Sequence, residues 1–329
     1  MYTKAIQLPR FIQKYSNTGN KMTEKLLKLI ADQGDKGAIV PVSRIADLKD
    51  DILELSKGDF HTSFLDRRID WILDDKADFI PSDTGFKPNS LISIIIPSPK
   101  VILQFNHNNK SYDCAVPPTY SNWYSTNDRV LQYLGDYLGA HGFSAKHIFT
   151  VPQKMLAVHC GLAQYGRNNI CYSNEFGSYM QILTYVSDLP CDSDLWYPVT
   201  RMKICEQCTI CADSCPTGAI DANRQLVNAD KCLTLFNESP DEFPEWINKS
   251  FHNSIIGCMK CQDDCPGNTK YKNNVRKGII FTEEETEEII NHRDNDSYTD
   301  SVSIKLRGID LLKEFLDVLP RNLKALIEE

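Results

Sequence analysis

The sequence predicts an α+β chain in three parts: an α/β domain over residues 1–198, a small cysteine-rich domain over 199–270 and a short helical tail over 271–329. Three observations predict it. Before residue 198, apolar residues recur alternately at helical and at strand spacing. From residue 200 to 270 the long apolar runs stop, and Cys, Pro, Asp and Asn crowd in, a composition that struggles to bury a core unaided. Beyond that, residues 304–329 return to a helical period, broken at Pro320.

Each element of the first part has its own signal. Residues 22–33 place Leu26, Leu27, Leu29 and Ile30 on one helical face, and residues 45–57 and 60–73 repeat the pattern. Residues 90–97 form an uninterrupted apolar run of strand length. Residues 101–105 and 111–116 read as strands around the turn His107-Asn108-Asn109. Residues 127–141 form an amphipathic helix with Leu131, Leu134 and Leu138 inward and Gly142 as its stop. Residues 153–164 read as a helix. Residues 170–173 and 178–187 read as a strand pair across residues 174–177.

Composition bounds the rest. With 36 basic and 44 acidic residues the formal charge is −8. Such a chain repels phosphate backbones at long range. The most apolar run, residues 91–97, is far short of the ~20 residues that cross a bilayer. The first seventeen residues carry no unbroken apolar stretch and no arginine pair. The expectation is a cytoplasmic chain without a membrane partner. In that compartment, 12 cysteines point to metal rather than disulfides.

The cysteine spacing specifies which metal. The first run is Cys205-x2-Cys208-x2-Cys211-x3-Cys215-Pro216, and the second is Cys258-x2-Cys261-x3-Cys265-Pro266. Two successive x2 gaps wrap three thiolates around one corner of a cubane, and the cysteine before proline ligates the other cluster in two-cluster ferredoxins. The second run has Ile255 where its first cysteine would stand, and Cys232 fills the vacancy. The expected ligands are Cys205, Cys208, Cys211 and Cys265 for a first [4Fe–4S] cluster and Cys215, Cys232, Cys258 and Cys261 for a second. Zinc on CxxC pairs is the alternative, but it explains neither the third cysteine at x2 spacing nor the repeated x3-Cys-Pro ending. Cys114, Cys160, Cys171 and Cys191 remain as small buried hydrophobes. The cysteine-rich part is therefore expected to be a bacterial ferredoxin-like domain.

A ferredoxin ends at its cluster module, whereas this chain sets about two hundred residues ahead of it. Residues 154–178, KMLAVHCGLAQYGRNNICYSNEFGS, followed by CxxCxxCxxxCPTGAI and closed by GCMKCQDDCP over 257–266, resemble the epoxyqueuosine reductase and reductive dehalogenase superfamily. The resemblance covers roughly residues 90–270. It implies a corrinoid-reductase-like α/β domain with a cobalamin between it and the clusters. It further implies that Gly161, Leu162, Tyr165, Gly166, Arg167, Asn168 and Asn169 lie near that cofactor. Glycines let backbone approach a flat macrocycle, and Asn and Arg can meet its amide-rich rim. Relatives carry a proton-donating Asp ahead of this element, and His147 falls near its place. Tyr120, after Pro117-Pro118-Thr119, is a second candidate donor.

These readings predict an iron–sulfur oxidoreductase that passes electrons through two [4Fe–4S] clusters to a corrinoid-dependent reductive site. The donor would be a small protein such as ferredoxin or flavodoxin, and the acceptor a small molecule or a partner protein. The acidic charge argues against tRNA. The alternative is a non-catalytic electron-transfer or reductive-activation protein whose α/β domain docks a partner.

Overall fold

The structure, a computed structural model, describes residues 18–327 apart from residues 56, 59–61, 74–78, 193, 224–225, 293–297 and 311–312. The N-terminal segment read for leader signals, the predicted helix start at Phe60 and the end of the predicted tail helix at Glu329 lie outside the described residues.

The described strands are β1 (Lys36–Pro41), β2 (Ser90–Pro97), β3 (Lys100–His107), β4 (Lys110–Val116), β5 (Ala145–His147), β6 (Gln164–Tyr165), β7 (Cys171–Tyr172), β8 (Met180–Ser187) and β9 (Val275–Phe281). The main sheet has the order β1-β2-β8-β5, and every pairing in it is antiparallel. Helices α1 (Thr18–Asp32), α2 (Ile45–Leu55), α3 (Ser63–Leu73), α4 (Trp123–Gly139) and α5 (Gln153–His159) cover it. Ile92, Ile94 and Ile96 of β2 face α1 and α4 through Leu26, Ile30, Val130, Leu134 and Leu138. Leu91 faces the other way, toward Leu48, Ile52 and Leu156. Because both faces are covered, β2 is buried at successive positions, and this is why its sequence shows no polar alternation.

Several boundaries differ from the periodicity: α1 begins at Thr18, and residues 171–172 and 180–187, read as a strand pair, join β6 and the main sheet instead. Two further differences have a local reason. Helix α4 begins at Trp123, four residues ahead of the predicted start. Asn122 turns the chain at φ 54°, and Asp310 supplies the cap from the far end of the chain, accepting from Trp123 N at its carbonyl and from Ser125 N at Oδ2, 2.9 Å. Helix α5 stops at His159 rather than 164, because Gly161 takes φ 72° and the chain then pairs as β6 with β7.

The tail is more than helical. Strand β9 runs parallel to β3, which pairs antiparallel with β4, making a second sheet of order β4-β3-β9. Helices α6 (Ile210–Asp213), α7 (Leu233–Glu238) and α8 (Lys260–Asp263) are short turns within the cysteine-rich part. Helices α9 (Glu283–Ile290), α10 (Asp300–Ile309), α11 (Lys313–Asp317) and α12 (Leu319–Ile327) follow β9. Val101, Leu103, Phe105 and Val116 share one buried cluster with Ile255, Phe281, Ile289, Leu306 and Leu323. Among the described residues, no helix is long and apolar enough to cross a membrane.

Candidate metal centre and adjoining cavity

The cysteine-rich part is held by turns rather than by long elements. A 3-10 turn at Lys203–Glu206 carries Cys205, α6 carries Cys211, a turn at Ala229–Lys231 presents Cys232, and α8 carries Cys261. The structure gathers Cys205, Cys208, Cys211 and Cys265 around one small hollow, closed by Gly166, Arg167, Asn168, Met202 and Pro266. It places Cys215, Cys232, Cys258 and Cys261 together on the wall of a second, larger cavity of about 360 Å³. Among the described residues no three His, Cys, Asp or Glu side chains close in as around a single ion; each set of four lines the wall of a hollow instead. As bare thiols, Cys205, Cys211, Cys232, Cys258 and Cys261 are costly to ionise. Burial pushes Cys211 up to about 11 and raises Cys232 and Cys258, a cost that only a bound cation reverses. Two tetrads of thiols about separate hollows fit a pair of cubanes in number, type and grouping.

The element from Gly161 to Asn169 ties this region to the main domain. Gly161 turns the chain against the Tyr197 ring, where an added Cβ would meet it at 3.1 Å. Leu162 packs in the core beneath β2 and α5. Tyr165 bonds through its backbone to Thr200 and Met202, each at 2.9 Å. Arg167 spreads its guanidinium over three carbonyls, Cys208 at 3.0 Å with Cys205 and Ala222, and so fixes the first cysteine loop. Asn168 is buried and lines both hollows. Asn169, at φ 55°, accepts from Val227 N through Oδ1. Within this stretch Gly166, Arg167 and Asn168 face the cysteines of the first set, and only Asn168 also reaches the larger cavity.

That cavity has apolar walls from Ile170, Met180, Ile182, Val227 and Leu233, with Gln153, Lys154, Lys260 and Gln262 as polar groups. Lys154 also borders an open groove of about 950 Å³ that Asp51, Glu54, Lys57, Tyr165, Asn169 and Arg201 line. Tyr120 stands in the cavity wall and donates to Glu238, whose carboxyl burial holds above its usual range. Tyr120 and His147 are not brought together. His147 sits on β5 among Trp123, Phe149 and Tyr185, its ring 4.4 Å from Phe149, and lines neither space. Burial lowers its pKa to about 4. The sequence marks Asn237-Glu238 only as following Cys232 and gives neither Glu238 nor Lys154 a role. Lys154 lies inside the stretch that carried the resemblance, but Glu238 has no spacing signal, since only the fold lays it against Tyr120.

Residues 204–268 match the 4Fe-4S double cluster binding domain. Epoxyqueuosine reductase from Leadbetterella byssophila is 31% identical over 176 residues, 50% of this chain and 56% of that one. The Bacillus subtilis epoxyqueuosine reductase is 30% identical over 115 residues, 35% of this chain and 28% of that one. The chain thus spans about half or less of the length of these curated relatives. In three dimensions it resembles an epoxyqueuosine reductase from Bacillus subtilis with its catalytic loop swung out of the active site, with a TM-score of 0.64 at 16% identity, covering 94% of this chain and 82% of that one. It also resembles an epoxyqueuosine reductase holding an epoxyqueuosine-modified tRNA-Tyr stem loop, with a TM-score of 0.55 at 18% identity, covering 86% of this chain and 81% of that one. These structural likenesses are likenesses of fold. The second overturns the expectation drawn from net charge that tRNA is a poor partner. A protein of this fold does hold a tRNA stem loop, because long-range charge describes the average surface, while docking depends on a local one.

Proposed function

We propose, for a chain that is a relative of the epoxyqueuosine reductases and carries a 4Fe-4S double cluster binding domain, that it is an iron–sulfur reductase with its reducing site in the 360 Å³ cavity. One observation carries the reading: of the two cysteine tetrads, one closes a hollow of its own, and the other forms a wall of the cavity. Cys205, Cys208, Cys211 and Cys265 would hold the first cluster, and Cys215, Cys232, Cys258 and Cys261 the second. A small donor such as ferredoxin or flavodoxin would load the first.

The cavity's lining fits a corrinoid in chemistry. Apolar walls suit the face of a flat ring, and Gln153, Asn168 and Gln262 offer amides to a rim of amides. Its volume lies at the low end of small-molecule pockets, and Lys154 lines both this cavity and the open groove of about 950 Å³. When bound, a corrinoid supplies a metal centre reducible enough to attack a carbon–oxygen or carbon–halogen bond. This chain's residues exclude water, orient the acceptor and hold a proton. Tyr120 stands in the wall with its O–H donated to Glu238, and this pair would hold the proton that the acceptor takes up. Lys154 and Lys260 offset negative charge arriving in the cavity.

The acceptor we favour is a tRNA stem loop. Between Asp264 and Glu283 the chain carries Lys270, Lys272, Arg276 and Lys277, all exposed, with no carboxylate among them. A local surface of that sign binds phosphates on a protein that is acidic overall. A second reading, an electron carrier that activates a docked partner, is favoured by the lack of any Asp or Glu among the cavity's described lining.

The deciding experiment is anaerobic reconstitution with iron and sulfide, with and without cobalamin, read by absorbance and EPR. The same preparation is then assayed on an epoxyqueuosine-bearing stem loop. Stoichiometric cobalt and turnover support the first reading. Two clusters with no retained corrinoid and no turnover leave the electron carrier.

A further inference from the structure

Gly166 lies where no larger residue fits. A Cβ there would fall 2.5 Å from Asn168 Oδ1 and 2.6 Å from Tyr172 Cε2. The two side chains it admits form a chain of contacts between the cysteine sets. Asn168 Oδ1 accepts from Ile170 N at 3.2 Å, which fixes the orientation of the amide. Its Nδ2 then donates twice, to the Cys261 carbonyl at 3.1 Å and to the Tyr172 hydroxyl at 2.9 Å. Tyr172 is buried, and its ring packs at the Cys265 sulfur. Ring and sulfur flank the same spot, 3.3 and 3.4 Å from where a Cβ on Gly267 would sit. Because Asn168 occupies the acceptor side of the phenol, the O–H is left to donate. A metal-bound thiolate at Cys265 can only accept.

The second set has its own donor. Asn253 Oδ1 accepts from Met259 N at 2.7 Å, and Nδ2 thereby points at Cys258 Sγ, 3.2 Å away. The second tetrad thus has a neutral amide donor aimed at Cys258 Sγ and a hydroxyl, Thr217 Oγ1, 3.5 Å from Cys215 Sγ, while the first has the Tyr172 phenol packed at Cys265, from a separate part of the chain.

Resting on the two-cluster reading above, we propose that Tyr172, oriented by Asn168, and Asn253 are positioning residues that set the potentials of the two clusters independently, Tyr172 through Cys265 and Asn253 through Cys258. The physical reason is common to both. A cluster that gains one electron gains negative charge, and a hydrogen bond to its sulfur stabilises that reduced form more than the oxidised one. Removing the donor moves the midpoint to more negative potential. Asn168 adds rigidity, since one amide holds both the phenol and the backbone of the other cluster's ligand loop.

The test is a potentiometric titration of the reconstituted full chain, followed by EPR. Tyr172→Phe deletes only the hydroxyl. It should lower one midpoint by about a tenfold change in the reduction equilibrium, about 59 mV for one electron, and leave the other in place. Asn253→Ala removes the donor without adding a charge beside Cys258 Sγ and should lower the other midpoint alone. Midpoints unmoved by both variants, or moved together by either, overturn the assignment while a full complement of iron leaves the two-cluster reading standing. Iron for only one cluster in the unsubstituted chain overturns that reading, and this assignment with it.

Discussion

Glu238 and His147 show how burial alone gives ordinary side chains unusual chemistry. Glu238 is held above the usual carboxyl range by burial, against the opposing hydrogen bond from Tyr120. A carboxyl raised in the folded state contributes stability that is intact below its ordinary range and is lost as pH rises through the raised value. Glu238→Gln should therefore flatten the loss of stability on the alkaline side of that range, read as urea midpoints across pH. It should also cut the proposed reductive turnover by about a hundredfold, the lower end of what a positioned acid contributes. His147 works in the opposite sense. Its pKa is lowered to about 4 by burial, so the unfolded chain takes up the proton first as pH falls from about 6.5. The cost reaches about 2 kcal/mol by pH 5, and His147→Phe should remove that part of the acid destabilisation. Turnover of His147→Phe at neutral pH should match the unsubstituted chain, since the ring lines neither cavity nor groove.

At the scale of elements, short turns in the cysteine-rich part depend on neighbours that the sequence does not place next to them. Helix α12 sends Asn322 under the loops: Nδ2 donates to the carbonyls of Asn237 and Ile255, at 2.8 and 2.9 Å. Arg321 beside it donates to Phe236 and Asp241 and lies over the Phe243 ring, 4.0 Å from its centre. Asn322→Leu leaves two buried carbonyls unpaired, which costs about 1–3 kcal/mol for each, and should lower the thermal midpoint and the retention of iron together. Gly166→Ala should do comparable damage by a different route, since overpacking typically costs about 1–3 kcal/mol; iron loss on gel filtration reads it. Legibility followed the range of the interaction. The cysteine spacing, the apolar face of α4 and the buried run of β2 are local patterns, and the sequence displays them. The early start of α4 depends on Asp310, the pairing of β9 with β3 joins strands far apart in the chain, and Asn168 meets Tyr172 only because β6 and β7 fold back at Gly166. None of these has a periodicity. The Gly161–Asn169 element was visible as a string, but its position between the two cysteine sets required the fold.

Across the whole molecule, charge and topology separate two faces of function. The chain is acidic, with a formal charge of −8, yet the exposed cations from Lys270 to Lys277 form a stretch without carboxylates. If that stretch docks RNA, charge reversal of Lys270, Lys272 and Lys277 should weaken stem-loop binding and reduce the slope of log K against log salt by up to about three units of the single-strand or duplex coefficient. Cluster content should stay unchanged. The topology has a consequence for biosynthesis. All eight cysteines of the two tetrads precede β9, and that strand docks on β3 while α12 closes over Asn237 and Ile255. A chain emerging from the ribosome N-terminus first exposes every thiol before the segments that fasten the loops have been made. On the proposed two-cluster reading, iron and sulfide would meet an open cradle, over which α12 would close through Asn322.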